Sequence, residues 1–203
     1  MGPSSRGTVT FVARPAERSN LTPGEYLAWE RRQSARHEYF RGDVFAMAGG
    51  SPRHNALSAN VTAALHPSLA ARGCHLLSSD QRVGFPGGDR YVYADVTLVC
   101  GPVSLETGTS DVLANPETVV EVLSPSTEQY DRGLKWEGYQ EITSLLDYVL
   151  VSQAEPRIEH FRREVDGNWV YRAAGAGGHV TLTSGATLHV GAIFRGVFDL
   201  PGD

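Results

Sequence analysis

Apolar residues recur at helical spacing in two stretches of the first third of the chain. The first, "LTPGEYLAWERRQ", begins with Thr22 and Pro23, a favourable helix start, and carries an apolar face formed by Tyr26, Leu27 and Trp29. The second, "SPRHNALSANVTAALHPSLAARG", has an apolar stripe at residues 57, 61, 64 and 65. We expect Pro67 to kink or divide this second helix and Gly73 to end it.

Alternating patterns and short apolar runs predict strands in much of the remaining chain. "HEYFRGDVFAMAG" is typical of two strands around a turn at Arg41-Gly42-Asp43, and "CHLLSSDQRVGF" and "RYVYADVTLVC" flank the turn "PGGD". "TVVEVL" is a continuous apolar run, typical of a strand buried on both faces. Further strands are predicted in "LLDYVLVS", "PRIEHFRRE" and "NWVYRAA", with weaker ones near "HVTLTS" and "ATLHV".

One helix is predicted among these strands. Ser126 followed by Gln129 matches a capping box, so this helix should start near Thr127 and end near Glu141. Helices followed by strands with one helix among them predict an α+β fold, a mixed α/β sandwich. A length of 203 residues fits one domain. We expect that domain to cover residues 21–203, after a flexible N-terminal tail at residues 1–20.

Composition narrows the class of protein. With 41% hydrophobic and 20% charged residues the chain has the composition of a soluble globular protein, and it contains neither a run of ~20 apolar residues nor a secretory signal. Cys74 and Cys100 are too few for a disulfide framework or a zinc cluster, so a cytoplasmic location is expected. The net charge of −5 argues against a nonspecific nucleic-acid coat protein but not against an enzyme with a local basic groove.

Lysine is almost absent from this chain. Of its 18 Lys and Arg residues, only Lys135 is lysine. Arginine is planar and forked, whereas lysine is a compact ammonium, so a point charge beside a phosphate could require lysine. The alternative is an ordinary helix ion pair with Asp131, four residues earlier. Both interpretations are open at this point.

Two carboxylates interrupt runs that should be buried. Glu121 lies within "TVVEVL", and Asp95 lies within "YVYADVTLVC". Buried carboxylates need partners, and two on neighbouring core strands suggest a shared hard cation such as Mg²⁺. Alternatively, each pairs with a buried arginine or caps a loop. From Glu121 to Ser126 an extended chain covers roughly 17 Å. From Ser126 to Lys135 a returning helix covers about 13.5 Å, which would place Lys135 level with Glu121.

These segments resemble the Uma-two family of endonucleases within the PD-(D/E)XK superfamily. The resemblance runs from about Leu21 to the C-terminus, through "LTPGEYLAWE", "HEYFRGDVFAMAGGSPRHNALSANV", "YADVTLVC" and "ETVVEVLSPSTEQYDRGLKWEGYQEITSLLDYVLV". The segment from EVLSPST to the lysine is the most specific part. The family implies a restriction-endonuclease-like core with additional C-terminal strands. It also implies phosphodiester hydrolysis that depends on Mg²⁺, with Mn²⁺ as a substitute, and DNA as the partner.

The resemblance assigns roles to individual residues. Asp95 matches the aspartate of the PD motif, and Glu121 matches the acidic residue of the next strand. With the Val122 carbonyl they are the expected metal ligands. Lys135 resembles the superfamily's lysine moved onto the next helix, because Leu123 occupies its usual place. Its role would be to position the attacking water or to stabilise the transition state as a compact cation. Glu38 is a candidate additional ligand, and His54 matches a family position near the site. Ala94 replaces the motif's proline, which alters strand entry more than chemistry.

Other interpretations remain beside this one. The nuclease fold could serve a non-catalytic nucleic-acid-binding or regulatory module, or the chain could be a structural partner that forms a homodimer through its C-terminal strands. Glu38 could be an exposed hairpin charge, and His54 a capping or solvent-facing side chain. Asp80 could reach the cleft or close a turn, and Gln81 could only fill the cleft. The arginine clusters at residues 31, 32 and 36 and at 162 and 163 are either solvated faces or contacts for a polyanion.

Overall fold

A computed structural model describes residues 16–69 and 72–203, apart from the Ser68 side chain. Five α-helices, one π-helical segment and thirteen strands occupy these residues. The helices are α1 Pro23–Glu30, α2 Pro52–Leu69, α3 Glu128–Tyr130, α4 Trp136–Tyr139 and α5 Val190–Ile193, and the π segment is Asp131–Lys135. The strands are β1 His37–Phe40, β2 Asp43–Ala46, β3 Cys74–Ser78, β4 Arg82–Gly84, β5 Arg90–Tyr93, β6 Val96–Cys100, β7 Val112–Leu113, β8 Thr118–Val122, β9 Asp147–Val151, β10 Ile158–Arg163, β11 Trp169–Ala174, β12 His179–Thr181 and β13 Thr187–His189.

Two mixed sheets form the body of the protein. The larger has the order β11-β10-β9-β8-β6-β3, in which β8 and β9 are parallel and the other neighbours antiparallel. The smaller has the order β2-β1-β5-β4-β7, and β12 pairs with β13 separately. Every residue of β8 is buried, which explains its continuous apolar sequence. The predicted α+β class is therefore confirmed.

Successive residues of β8 face two different cores. Val120 and Val122 belong to a cluster on the α2 side, where Leu57, Val61 and Leu65 of the predicted stripe pack. Val119 belongs to a second cluster on the opposite side, which includes Phe85, Tyr139 and Tyr148. Because side chains alternate along a strand, Glu121 points to the same side as Val119. The carboxylate is thus directed between the two sheets.

The N-terminal elements follow the predictions closely. Thr22 caps α1 in a capping box with Glu25, and Pro23 is its first residue. β1 and β2 flank the predicted turn, where Arg41 and Gly42 have φ of 48° and 103°. The predicted tail lies outside the described residues at positions 1–15. At positions 17 and 18 the chain already pairs with the backbone of Val44 in β2.

The structure excludes one expected division of a helix and one expected helix cap. Pro67 does not divide α2, which continues to Leu69; so close to the helix end, the lost backbone hydrogen bond affects only the last turn. The capping box at Ser126 does not form. Thr127 is the N-cap without a side-chain hydrogen bond, and the Thr127 and Glu128 N–H groups donate to the Ser124 carbonyl instead. The predicted helix itself is present, because residues 128–139 form one unbroken helical run with the π segment in its middle.

A disulfide joins Cys74 on β3 to Cys100 on β6, which are directly opposite each other. A count of two cysteines does not predict this bridge, because it depends on strand register. The cytoplasmic location inferred from that count stays a prediction. Within residues 16–69 and 72–203, no helix is long and apolar enough to cross a membrane.

We expect the disulfide to stabilise the fold, because it closes a loop between residues 26 positions apart. For a loop of this size, reduction of the disulfide should lower the free energy of unfolding by about 2–4 kcal/mol. Urea unfolding with and without dithiothreitol measures this change. A Cys74→Ser/Cys100→Ser double variant should show the lower stability and no response to reductant. An unchanged wild-type midpoint in reductant would contradict the prediction.

Candidate active site

A cleft of about 640 Å³ opens where the end of β8 meets the start of β6, β1 and the segment after β8. It brings together all the predicted site residues, which are Glu38, His54, Asp95, Glu121, Val122 and Lys135. Tyr93, Tyr130 and Asp131 line the same space. The residues are scattered over almost a hundred positions of sequence, so the fold assembles the cleft.

The register of β6 and β8 places Asp95 beside Glu121. Val96 pairs with Val120 in antiparallel register, so Asp95 lies opposite Glu121 one step beyond the last paired residues. The Val122 N–H donates a 2.7 Å hydrogen bond to Asp95 Oδ2. This bond holds the aspartate against the end of β8. Both carboxylates are therefore presented to the cleft from adjacent strands.

Lys135 lies buried among three carboxylates. Its Nζ is 3.0 Å from Glu38 Oε1, 3.2 Å from Glu121 Oε1 and 3.4 Å from Asp131 Oδ1. The lysine side chain is only 6% exposed. An ammonium has three N–H donors in a tetrahedral arrangement, whereas a guanidinium presents its donors in one plane. Three converging acceptors suit lysine, and the predicted i,i+4 pair with Asp131 is one contact of this cluster.

Two further groups in this cluster were not predicted from the sequence. The Tyr139 hydroxyl donates to Glu121 Oε1 at 2.9 Å, and the Tyr148 hydroxyl donates to the Asp131 carbonyl at 3.0 Å. The Tyr139 ring is fully buried in the core, but its hydroxyl belongs to the site. Its position four residues after Lys135, on the same helical face, was the available signal. π segments are frequent at functional sites, and this one carries both Asp131 and Lys135.

The cluster contains more negative than positive charge. Burial raises the pKa of Glu121 well above its usual range; Lys135 lowers it, and Asp131, Asp95 and Glu38 raise it further. Burial also raises the pKa of Asp131, against the opposing effects of Lys135 and a Thr127 hydrogen bond. Although burial lowers the pKa of Lys135, its three carboxylate neighbours raise it well above the usual range overall. The lysine is thus held as a cation, and one such charge does not balance the carboxylates around it.

His54 is held against Asp95 from the opposite side. Its Nε2 is 3.3 Å from Asp95 Oδ2, and its backbone N–H donates to the Ser51 hydroxyl at the start of α2. Burial lowers the pKa of the imidazole, but the hydrogen bond and charge of Asp95 raise it more. The pKa of His54 is therefore above its usual value. Gly50 packs directly on the ring, since a Cβ there would lie 2.6 Å from His54 Nδ1. The imidazole therefore has little freedom to move away from Asp95.

The acidic donors fit a hard divalent cation. Within the described ranges, no three His, Cys, Asp or Glu side chains form a group able to enclose a metal ion. Mg²⁺ in phosphoryl-transfer sites needs only one or two carboxylates, because waters and substrate oxygens complete its shell. Asp95 and Glu121 supply such a pair, and a cation beside them would relieve the excess negative charge that raises the Glu121 pKa. The donor set fits magnesium better than zinc, which prefers nitrogen and sulfur.

The remaining sequence candidates have different surroundings. Arg31 pairs with Asp111, and Arg163 donates to the carbonyls of Gln140 and Ile142. Gln81 does not line the cleft and instead donates to the carbonyls of Arg82 and Asp111. Arg36 does line the cleft, and Asp80 pairs with it at the surface.

Comparison with known proteins shows which family this chain is similar to. Residues 23–197 match the Uma2 family, whose description reads "Putative restriction endonuclease". Two proteins of Synechocystis sp. (strain PCC 6803) are similar in sequence. Protein slr1290 is 36% identical over 178 residues, covering 87% of this chain and 93% of the relative. Protein sll1609 is 29% identical over 150 residues, covering 74% and 85%. Both relatives are described as uncharacterized.

A solved structure shares the fold. It is the crystal structure of a protein from Anabaena variabilis described as "a putative nuclease belonging to DUF820". It matches with a TM-score of 0.71 at 16% identity, covering 87% of this chain and 99% of the other. The resemblance drawn from the sequence is thus confirmed at the level of family and fold: the chain belongs to the Uma2 family.

Proposed function

We propose that this chain is a divalent-metal-dependent endonuclease that hydrolyses phosphodiester bonds in DNA. The observation that carries the proposal is the position of the only lysine, buried in a cleft beside Glu38, Glu121 and Asp131. Buried ion clusters contribute little to stability, so their presence in an open cleft favours a catalytic role. The description of the Uma2 family and the shared nuclease fold support the same conclusion.

Asp95 and Glu121, with the Val122 carbonyl, would hold the cation. Once bound, Mg²⁺ or Mn²⁺ would supply Lewis-acid stabilisation of the charge that develops on the phosphate. The hydrogen bond from the Val122 N–H fixes the Asp95 carboxylate in advance. The Tyr139 hydroxyl does the same for Glu121. Both ligands are therefore oriented by contacts within the protein itself, which limits reorganisation when substrate arrives.

Lys135 would act on the substrate as a compact cation. Its ammonium lies 3.2 Å from Glu121, so a phosphate beside the ligand pair comes within reach of it. There it would position the attacking water and stabilise the phosphate's negative charge. Glu38 and Asp131 keep the amine protonated and in place. His54 would hold Asp95 in its orientation from the α2 side. The homodimer considered from the sequence stays a prediction.

Substitution of either ligand should weaken metal binding. We expect Asp95→Asn and Glu121→Gln to weaken Mn²⁺ binding at least about tenfold, because each removes a negatively charged oxygen ligand. Calorimetric titration of Mn²⁺ and Mg²⁺ measures this effect, with Glu128→Gln, an exposed carboxylate outside the cleft, as the matched control. Circular dichroism confirms that the variants fold.

Equal Mn²⁺ affinity in the wild type, the two ligand variants and the Glu128→Gln control would contradict the metal assignment. The titration is repeated with a DNA oligonucleotide, because substrate oxygens complete the shell of such sites. Oligonucleotide binding without cleavage in Mg²⁺ or Mn²⁺ would favour the non-catalytic binding module over the endonuclease.

Lys135→Arg should fold but cleave poorly. The guanidinium keeps the positive charge, yet its planar donors cannot meet three converging carboxylates and a phosphate. We expect cleavage to fall about 10²–10³-fold, the usual cost of losing one transition-state donor. Single-turnover cleavage of a labelled DNA measures the rate. The reverse exchange three residues earlier, Arg132→Lys, alters a cation outside the cleft and should leave the rate unchanged. Normal cleavage by Lys135→Arg would show that charge alone suffices.

Two neighbouring glycines test the position of His54. A Cβ at Gly50 would lie 2.6 Å from His54 Nδ1, whereas at Gly49 it meets nothing within 4 Å. Gly50→Ala should therefore push the imidazole off Asp95 and reduce kcat about tenfold, by analogy with losses from supporting residues around metal ligands. Gly49→Ala should be neutral. Imidazole NMR signals of His54 report the displacement independently of cleavage. Equal kcat values and unshifted signals in both variants would contradict this role.

A further inference from the structure

Arg36 lies at the mouth of the cleft, two residues before Glu38. Among the described residues that line the cleft, Arg36 and Lys135 are the permanent cations. Two residues of extended chain span about 7 Å, so Arg36 is set off from the carboxylates by roughly that distance along the chain. A nucleic-acid strand carries one phosphate per nucleotide. A strand bound at the floor of the cleft would therefore bring a neighbouring phosphate toward Arg36.

The guanidinium of Arg36 is held in place on one side. Its Nη1 donates to the Ser79 carbonyl at 2.8 Å and to the Ser79 hydroxyl at 3.2 Å. Its Cζ lies over the Tyr93 ring at 5.9 Å from the centroid. Guanidinium has five N–H donors, and these contacts use Nη1, so the Nη2 donors can face the Asp80 carboxylate or a phosphate. The group is therefore oriented before any substrate arrives.

Among the described residues, Asp80 is the one carboxylate paired with Arg36. Its Oδ1 lies 2.5 Å from Arg36 Nη2, but the Asp80 side chain is 78% exposed and that of Arg36 is 41% exposed. Ion pairs between such exposed groups are weak and are screened by salt. A phosphate that offers two oxygens to the guanidinium can displace a single exposed carboxylate oxygen.

The rest of the cleft gives a polyanion little to bind before a metal is present. The ammonium of Lys135 already contacts three carboxylates. Asp95, Glu121 and Asp131 make the floor acidic, and the whole chain carries a net charge of −5. An incoming strand therefore needs a cation away from these carboxylates, and Arg36 has that position.

We propose that Arg36 forms a second phosphate-binding position at the mouth of the cleft, with Asp80 as the counter-ion that the phosphate displaces. This position binds a phosphodiester group of the same strand, next to the one at the carboxylates, and it rests on the proposed nuclease function. The partner chemistry is a nucleic-acid backbone phosphate. Asp80 thereby competes with substrate, and its removal strengthens binding.

The test is binding of a fluorescein-labelled single-stranded DNA 12-mer, measured by polarisation at low salt without divalent metal. Arg36→Ala should weaken binding about tenfold, as for loss of a charge-assisted phosphate contact. Asp80→Asn should tighten it about threefold, since it releases the guanidinium from a weak pair. The double variant should match Arg36→Ala. Arg41→Ala and Asp89→Asn, from an exposed ion pair outside the cleft, are the controls and should stay within about twofold of wild type.

Each outcome separates this position from the nuclease function. An Arg36→Ala affinity equal to that of Arg41→Ala overturns the phosphate position even when the wild type cleaves DNA. Weaker rather than tighter binding by Asp80→Asn overturns it too, and this variant changes only an exposed side chain. Arg36-dependent binding without cleavage in Mg²⁺ or Mn²⁺ supports the position and contradicts the nuclease. Absence of any wild-type binding overturns the phosphate position but not the nuclease, which is tested by cleavage in Mg²⁺ or Mn²⁺.

Discussion

The contact between the Lys135 ammonium and three carboxylates is the interaction on which the site depends. Removing an ammonium and several carboxylates from water is costly, and their mutual attraction repays that cost only when geometry and hydrogen bonds are good. Here the charges come from three separate parts of the chain: β1, β8 and the π segment. Each part must be fixed to within hydrogen-bonding distance, so the fold around the cleft has little freedom.

The architecture meets this requirement through a strand buried on both faces. β8 lies between β6 and β9 in the larger sheet, and its apolar residues pack into cores on either side. Such a strand cannot shift by one residue without moving Glu121 into the opposite core. The same register sets Asp95 opposite Glu121. The rigid apolar core thus fixes the positions of the carboxylates in the polar site.

The site residues that appear as local anomalies in the sequence could be predicted from it. Glu121 and Asp95 interrupt apolar runs, and Lys135 is the only lysine, so each could be recognised without a structure. The estimate that Lys135 returns level with Glu121 was close, because helix and strand lengths follow from standard rises. The π segment and the disulfide could not be predicted in this way. They depend on strand register and on packing between distant segments, which hydrophobic spacing does not encode.

The capping box that does not form shows the same limit of sequence-based prediction within a single turn of the chain. Ser126 and Gln129 match the pattern, yet the Ser124 carbonyl accepts the N–H groups of Thr127 and Glu128. A turn that satisfies these donors with backbone makes the side-chain cap unnecessary. The chain after β8 therefore bends tightly before α3 begins, and the π segment that follows carries Asp131 and Lys135 at its two ends. A regular α-helix would place the lysine at a different angle, since each residue turns the helix face by about 100°. The irregular helix is therefore part of the same constraint as the buried charge, because its π segment carries the ammonium that contacts Glu38 and Glu121.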